Sequence, residues 1–412
     1  MANQNLTITM ITKESLRVLH NNLVYTKGVD RQYSNEFAKT GAKIGSTVNV
    51  RMPNTYYVRT GKTVAIQDNS ETYVPVTLTT QYGVDFNFSS AELSLDIDAF
   101  STRYITPAMA RLSSQIDFDG LALAKKVYNN VGVPGSPPGT SGGSGIAIST
   151  CPEVYLNAGM LMDNSATPRD NLRSMIINPR AQAKSITGLS GLFQDSNRLA
   201  EQYRNGVMGQ ALGFEFGMDQ NVNTLTCGTR AATAAINGAG QTGATLSVSG
   251  LGASATVKAG EKFSIASVNS VNPENQQDTG LSAQFTVLSD ATANASGVAS
   301  LSISPSITVI GSTVSNGTVT AGPANGAVVT WIGTASTTYP MNLAYHRDFC
   351  TLATCDLPLP RDAEFAAREV YDGISMRFVS GYDINNDNFI YRIDVLAGWA
   401  VLRPAQACVV WG

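Results

Sequence analysis

Between Val222 and Leu343, about 120 residues carry only seven charged side chains: Arg230, Lys258, Glu261, Lys262, Glu274, Asp278 and Asp290. The remaining 290 or so positions hold the other 52 of 59, about three times the density. A stretch so poor in charge cannot lay out the solvated faces of surface helices. Its short apolar runs, such as Phe263-Ser264-Ile265, Gln284-Phe285-Thr286-Val287 and Leu301-Ser302-Ile303, are separated by Gly260, Asn272-Pro273, Gly297, Asn316-Gly317 and Asn325-Gly326. Short runs between turn residues predict an all-β module of six or more strands, a small barrel or sandwich. Helical and strand patterns lie on both sides of it, so the module reads as an insertion, and Val222 to Leu343 is expected to fold alone.

The flanking chain supplies the host. At 412 residues the whole is expected to form two or three structural units. Charged residues make up 14%, well under the roughly 25% of ordinary soluble domains. With 43% hydrophobic residues, 37 glycines and a mean hydropathy of -0.03, the chain can fill a core. So little charge describes a surface hidden in an assembly. A net charge of -3 argues against nucleic-acid binding by bulk positive charge. Met1 to Met10 has neither the basic region nor the apolar run of a signal peptide, and no stretch of about 18 apolar residues suggests a membrane span. Cys151, Cys227, Cys350, Cys355 and Cys408 are odd in number and scattered, and read as reduced thiols of a cytoplasm.

Before the insertion the pattern changes several times. Thr12 is the expected N-cap of a short amphipathic helix with Leu16, Leu19 and Leu23 on one face and Lys13, Glu14 and Arg17 elsewhere. A terminal helix of this kind docks either on its own core or on another body. From Lys43 to Ser90 the period is two: Val48, Val50 and Met52, a break at Pro53-Asn54, then Tyr73 to Leu78 and Val84 to Phe88. This predicts a long two-stranded arm with a wide tip, marginal in water by itself. Ten residues of such a strand reach roughly 33 Å. Thr106 and Pro107 then open a helix expected to run to about Asn130, with Ile105, Met109, Leu112, Ile116, Leu123 and Val127 as its stripe. Gly135 to Gly145 reads as a linker, Pro152 to Met162 as a helix, Leu172 to Ile177 as a strand, and Asn178-Pro179 as the start of another helix. After the insertion, Ile374 to Val379, Phe389 to Val395 and Ala400 to Val410 are expected to close the chain as a meander.

Chemistry is sparse. His20 and His346 stand alone, outside metal-ligand spacing. Gly139-Thr140-Ser141-Gly142-Gly143 spells a nucleophile elbow, but Pro134 to Pro138 and further glycines surround it where a strand and a helix should stand. Asp383, Asn385, Asp387 and Asp394 imitate a calcium loop with Asn388 in place of its glycine and Asp in place of its last Glu, and a turn between strands accounts for them. No phosphate-binding glycine loop is present, and Lys125-Lys126 is a single basic doublet. No residue set supports an enzyme or a cofactor.

The order of parts is what speaks. An arm start at Asn3 to Asn22, the pair around Val48-Asn49-Val50-Arg51-Met52-Pro53, the helix from Tyr104 to Val131, an insertion from about Val222 and the closing Asp383 to Leu396 together resemble tailed-bacteriophage major capsid proteins. Within them the resemblance is to the coat proteins of Salmonella-type short-tailed phages, which carry an insertion domain. The likeness covers nearly the whole chain and rests on no single motif. It implies an α+β capsid fold: N-terminal arm (1–35), extended loop (36–90), peripheral domain with spine helix (91–150), axial domain (151–221), inserted β domain (222–343), and a return through both domains (344–412). It also implies hexamers and pentamers of an icosahedral head, a scaffolding protein, a portal protein, and packaged DNA met only by non-specific proximity. It implies a place in the virion after assembly in the host cytoplasm, with no membrane and no cofactor. By the same resemblance Lys13, Glu14 and Arg17 are candidates for scaffold contact. Arg51, Arg59, Lys62, Asp68 and Glu71 belong to the intersubunit arm, and Glu274 and Asp278, within Asn269 to Gly280, to an inter-capsomer loop. Lys62 reads as a solvated or ion-paired side chain, with no isopeptide link. Two other classes stay open from residues alone: a β-rich surface or adhesive protein, and a hydrolase using Ser141.

Overall fold

The structure is a computed structural model that describes residues 3–34, 47–52, 56, 61–62, 64, 66, 73–89, 104–136, 138, 151–189, 209–311, 316–360 and 365–412. The Gly135 to Gly145 linker lies mostly outside them, as do Ser141, Arg59, Asp68 and Glu71. The chain divides into two compact units. One comprises Met1–Met52, Tyr73–Gly120 and Cys350–Leu402; the other comprises Pro53–Thr72, Leu121–Phe349 and Arg403–Gly412.

The first unit is helix on sheet. Strands β1 (Asp30–Ser34), β19 (Cys350–Cys355), β22 (Asn388–Val401), β21 (Ile374–Asp383) and β20 (Phe365–Tyr371) stand side by side in that order. The sixth, β4 (Thr80–Ser89), pairs with β22. Period two sorts their side chains. Ile393, Val395 and Ala397 of β22, with Leu352 of β19, face helices α1 (Asn3–Asn22) and α2 (Thr106–Leu121), where Leu16, Leu19, Leu23, Met109, Leu112 and Ile116 close the core. Leu396, Ala400, Ala353 and Cys355 point the other way and pack with Val50, Val74 and Val76. Those valines belong to the ribbon of β2 (Thr47–Arg51) and β3 (Tyr73–Thr77), whose register runs from Thr47↔Thr77 to Arg51↔Tyr73.

Three expectations change here, and one open alternative is decided. Helix α1 begins at Asn3, so Thr12 is no N-cap but lies buried in its interior. The helix docks on its own unit, against β20 and β21; burial of one face outweighs the modest helix propensity of Thr7, Ile8 and Thr9. The run Val84 to Phe88 is no part of the arm: all ten residues of β4 pair with β22, from Ser89↔Asn388 to Thr80↔Ala397. A period-two run shows that a strand forms, not which neighbour it takes. Helix α2 stops at Leu121, well short of Asn130, and a 3-10 turn (Ala122–Lys126) and extended chain follow. A Cβ on Gly120 would stand 2.7 Å from the Trp399 ring and 2.8 Å from Tyr25, so the end of the helix lies hard against both rings.

The second unit holds a seven-stranded sheet and a barrel. The sheet order is β5 (Asn130–Val131), β23 (Ala407–Trp411), β18 (Thr338–His346), β6 (Arg173–Ile177), β8 (Phe214–Met218) and β7 (Gln210–Ala211), with β9 (Thr224–Thr226) on β18. Helices α3 (Cys151–Asn164) and α4 (Pro179–Leu189) cover it through Val154, Tyr155, Ala158, Met162 and Ala181. Asn178 caps α4 as its sequence suggests: its Oδ1 accepts from the Ala181 amide at 2.7 Å, with Pro179 at the first helical position. The expected third strand of the closing meander goes elsewhere, because β23 leaves β21 and β22 and pairs with β18 and β5.

The charge-poor segment closes on itself. Strands β10 (Ala234–Ile236), β11 (Gly243–Ser249), β16 (Ala299–Ile307), β14 (Asp278–Val287), β13 (Lys262–Val271) and β17 (Val328–Trp331) form a barrel without free edges. Beside it β12 (Thr256–Val257) and β15 (Ala291–Thr292) pair as a small ribbon. Leu246, Val248, Phe263, Ile265, Phe285, Val287, Leu301 and Ile303 fill the interior. The barrel strands run from Ala234 to Trp331; β9 and β18, at the ends of the expected insertion, pair with each other and belong to the seven-stranded sheet. At the barrel mouth Glu261 is fully buried. Its Oε1 accepts from the Gly228 and Lys258 amides at 2.7 Å each, and its other oxygen takes Arg230, whose guanidinium lies 4.3 Å over the Trp331 ring.

Candidate functional site

Among the described residues no group of three or more His, Cys, Asp or Glu side chains could hold a metal ion. The isolated candidates have structural employment. His346 is buried, with Nε2 3.1 Å from Asp170. The Asp383 carboxylate accepts the Asn385 amide at 3.0 Å and the Asn386 side-chain amide at 2.7 Å, which closes the β21–β22 turn; the Asn386 hydrogen bond above all draws its pKa down. Asp394 sits inside the sheet on Arg377 and Arg392 at 2.5 and 2.9 Å. A calcium loop would leave those carboxylates convergent and free, and these are neither. Cys227, Cys350, Cys355 and Cys408 are free and buried, and burial pushes the Cys350 thiol up to about 12.

Three exposed surfaces carry the remaining sequence candidates. The first is the outer face of α1. Leu16, Leu19 and Leu23 face inward, so the 3.6-residue period turns Lys13, Glu14 and Arg17 outward. Arg17 forks onto Glu14 at 2.8 and 2.5 Å, a pairing that lowers the Glu14 pKa, while Lys13 reaches only 3.9 Å from Glu369. Below them, Asp372 ties three elements together: its Oδ2 lies 2.8 Å from His20 Nε2 on α1 and 2.5 Å from Arg31 on β1. Burial would raise the Asp372 pKa, but the hydrogen bond to His20 and the charge of Arg31 override it and hold it low. Asp372-Gly373 is a two-residue hairpin loop with φ of 51° and 75°, a type I′ turn. The Asp-Gly pair between two strand runs was the signal for this node, and the reading of the sequence above missed it. It also missed Asp117, buried on α2, which accepts the Val24 and Thr26 amides at 2.7 and 3.0 Å; a lone Asp in an amphipathic helix gives no such sign.

The second surface is the ribbon. Val76 is fully buried at its base, while Tyr73, at the end of the ladder, is 62% exposed. Arg51 is exposed, as is Lys62, and Ile66 is 90% exposed. A Cβ at Gly398 would come 2.2 Å from the Thr77 carbonyl, so only glycine lets β22 approach the ribbon base this closely. The third surface is the β13–β14 hairpin. Its loop is fastened by Asn272, which accepts the Glu274 amide at 2.9 Å, and by Asp278, which takes Asn269 at 3.0 Å and Gly280 at 2.8 Å. Glu274 is exposed.

Comparison with known proteins concerns the chain as a whole. The family model described as P22 coat protein - gene protein 5 matches residues 1–410. The major capsid protein of Acyrthosiphon pisum secondary endosymbiont phage 1 is 29% identical over 168 residues, 40% of this chain and 38% of that one. The matched part therefore spans well under half of that relative. Among solved structures, one titled Mycobacterium phage Che8 is similar with a TM-score of 0.46 and 11% identity, over 94% of this chain and 90% of that one. The capsid of cyanophage P-SCSP1u gives 0.45 and 10%, over 94% and 88%.

Proposed function

The chain belongs to the P22 coat protein family and by that membership is a structural shell protein; we propose that its copies assemble into the hexamers and pentamers of an icosahedral phage head around double-stranded DNA. The observation that carries the reading is the ribbon, seated at its base among Val50, Val74 and Val76 and bare at Tyr73. A hydrophobic, well-paired strand end left in water is an edge in need of cover. A neighbouring copy supplies that cover and couples the last burial to assembly.

In this reading Arg51, Arg59, Lys62, Asp68 and Glu71 of the arm meet the adjacent subunit, and Glu274 and Asp278 meet a neighbouring capsomer. Of these, Glu274 is the stronger candidate, because Asp278 already serves Asn269 and Gly280. The scaffolding protein engages the outer face of α1, where Lys13 is only loosely held and therefore cheap to recruit. Portal protein and packaged DNA are neighbours of the shell, the DNA without specific recognition. Assembly belongs to the host cytoplasm, where the buried thiols stay reduced. The test is to produce the chain with and without its scaffold and examine it by size exclusion and negative-stain microscopy. Closed shells or capsomer-sized rings are expected. A compact monomer under every assembly condition would overturn the reading.

A further inference from the structure

Beneath the barrel, three side chains from two of its strands hold the backbone that follows α2. Lys262 of β13 is fully buried, and its Nζ donates to the carbonyls of Val127 and, at 3.4 Å, Ala124. Thr286 of β14, the cross-strand partner of Lys262, donates to the Lys125 carbonyl at 2.9 Å. Gln284, two residues earlier on the same face, brackets Asn130: its Oε1 accepts the Asn130 amide at 2.6 Å and its Nε2 donates to the Asn130 carbonyl at 3.0 Å. A 3-10 turn ends short of intrahelical donors; the Ala124 carbonyl takes the Val127 amide, and this socket serves the turn's carbonyls from outside.

The unusual member is the lysine. An ammonium enclosed without a carboxylate is costly, and carbonyl dipoles only partly offset that cost. The ionisable groups around it do not supply a counter-charge. Glu261, one residue earlier, is taken by Arg230 and two backbone amides. Cys408 of β23 and Tyr128 have pKa values raised by burial and stay neutral. Lys125 and Lys126 on the turn are basic side chains and bring no negative charge. Burial accordingly brings Lys262 down to about 7.

We propose that the seating of the barrel on residues 122–131 is a proton-linked latch, with Lys262 as its positioning residue and the neutral amine as its closed form. The sign follows from linkage. Undocked and hydrated, Lys262 titrates near its ordinary value of 10.5; docked, near 7. Between those values the open state binds a proton that the closed state does not, so closure strengthens as pH rises from about 7 to 10.5 and is weakest, and flat, below about 7. The latch concerns the subunit alone and stands whether or not the shell assignment does.

Amide hydrogen exchange on the full-length chain tests it, with rates corrected for the pH dependence of the exchange chemistry. The reporter is the Asn130 amide, whose acceptor is Gln284. Between pH 6.5 and 9.5 its protection is expected to rise by up to about tenfold per pH unit above pH 7, while the β11–β16 ladder inside the barrel keeps its protection. In Lys262→Met the rise disappears; in Lys262→Arg, charged throughout, it disappears as well. Flat protection of Asn130 in the unmodified chain overturns the proposal without any variant needing to fold. So does an undiminished rise in Lys262→Met, or an equal rise across the barrel ladder, which would place the proton in global unfolding.

Discussion

Asp394 illustrates how single residues here trade apparent chemistry for structure. In the sequence it completes an imitation of a calcium loop; in the fold its side chain is 1% exposed and engaged by Arg377 and Arg392. Burial pulls its pKa upward, and the hydrogen bonds from Arg377 and then Arg392 more than reverse this, so the folded value lies below the ordinary one. Such a carboxylate stabilises the fold above the ordinary carboxylate range, and the contribution is lost as pH falls through the folded value. Asp394→Asn leaves the half-buried Arg377 without its anion and is expected to cost about 3 kcal/mol at pH 7. Urea denaturation should show that gap closing as the pH is taken below about 4. An unchanged midpoint at pH 7 would mean that the pair contributes nothing. Sequence spacing could not reveal this role, because both arginines reach Asp394 through strand register, Arg377↔Asp394 across the ladder and Arg392 two residues along it.

Elements were legible where periodicity alone determines the answer. The apolar face of α1, the cap of α4 and the strand character of residues 47–51, 73–77, 374–379 and 389–395 follow from local pattern and cap chemistry. Partners and ends were not. Residues 84–88 alternate as an arm strand would, yet lie along β22; Ala407–Trp411 reads as a third meander strand, yet joins β18. Helix α2 carries its stripe on to Leu123 and Val127, which are indeed buried, but in a 3-10 turn and the extended chain after it. At this scale Leu19→Ala is the informative change. Leu19 is fully buried between α1 and the sheet, and its truncation should cost about 2–5 kcal/mol, read as a lowered thermal midpoint. If α1 were an arm waiting for another body, the midpoint of the unassembled subunit would not move.

For the molecule as a whole, the low charge and the bare ribbon both suit the proposed assembly, in which part of the burial is completed between copies. Replacing residues 52–72 by an Asn-Gly turn joins β2 directly to β3 while leaving Val50, Val74 and Val76 in place. The shortened chain should keep its circular dichroism and thermal midpoint but lose shell formation in the microscope. Normal shells from this variant would remove the arm from the assembly mechanism. Loss of the fold itself would show that the excised loop belongs to the subunit core.

What the sequence determined by itself was the inventory: a charge-poor segment that must become strands, amphipathic helices with known inner faces, and an alternating ribbon. These are local, since hydrophobic period and turn chemistry act over a few residues. Only the tertiary structure decided which strands became neighbours, where α2 gave way to a 3-10 turn, and that Lys262 and Asp394 are enclosed. Those outcomes depend on contacts set by strand pairing and by packing between distant stretches, from Arg377 beside Asp394 to Val127 on Lys262, whose energies no single stretch of chain contains.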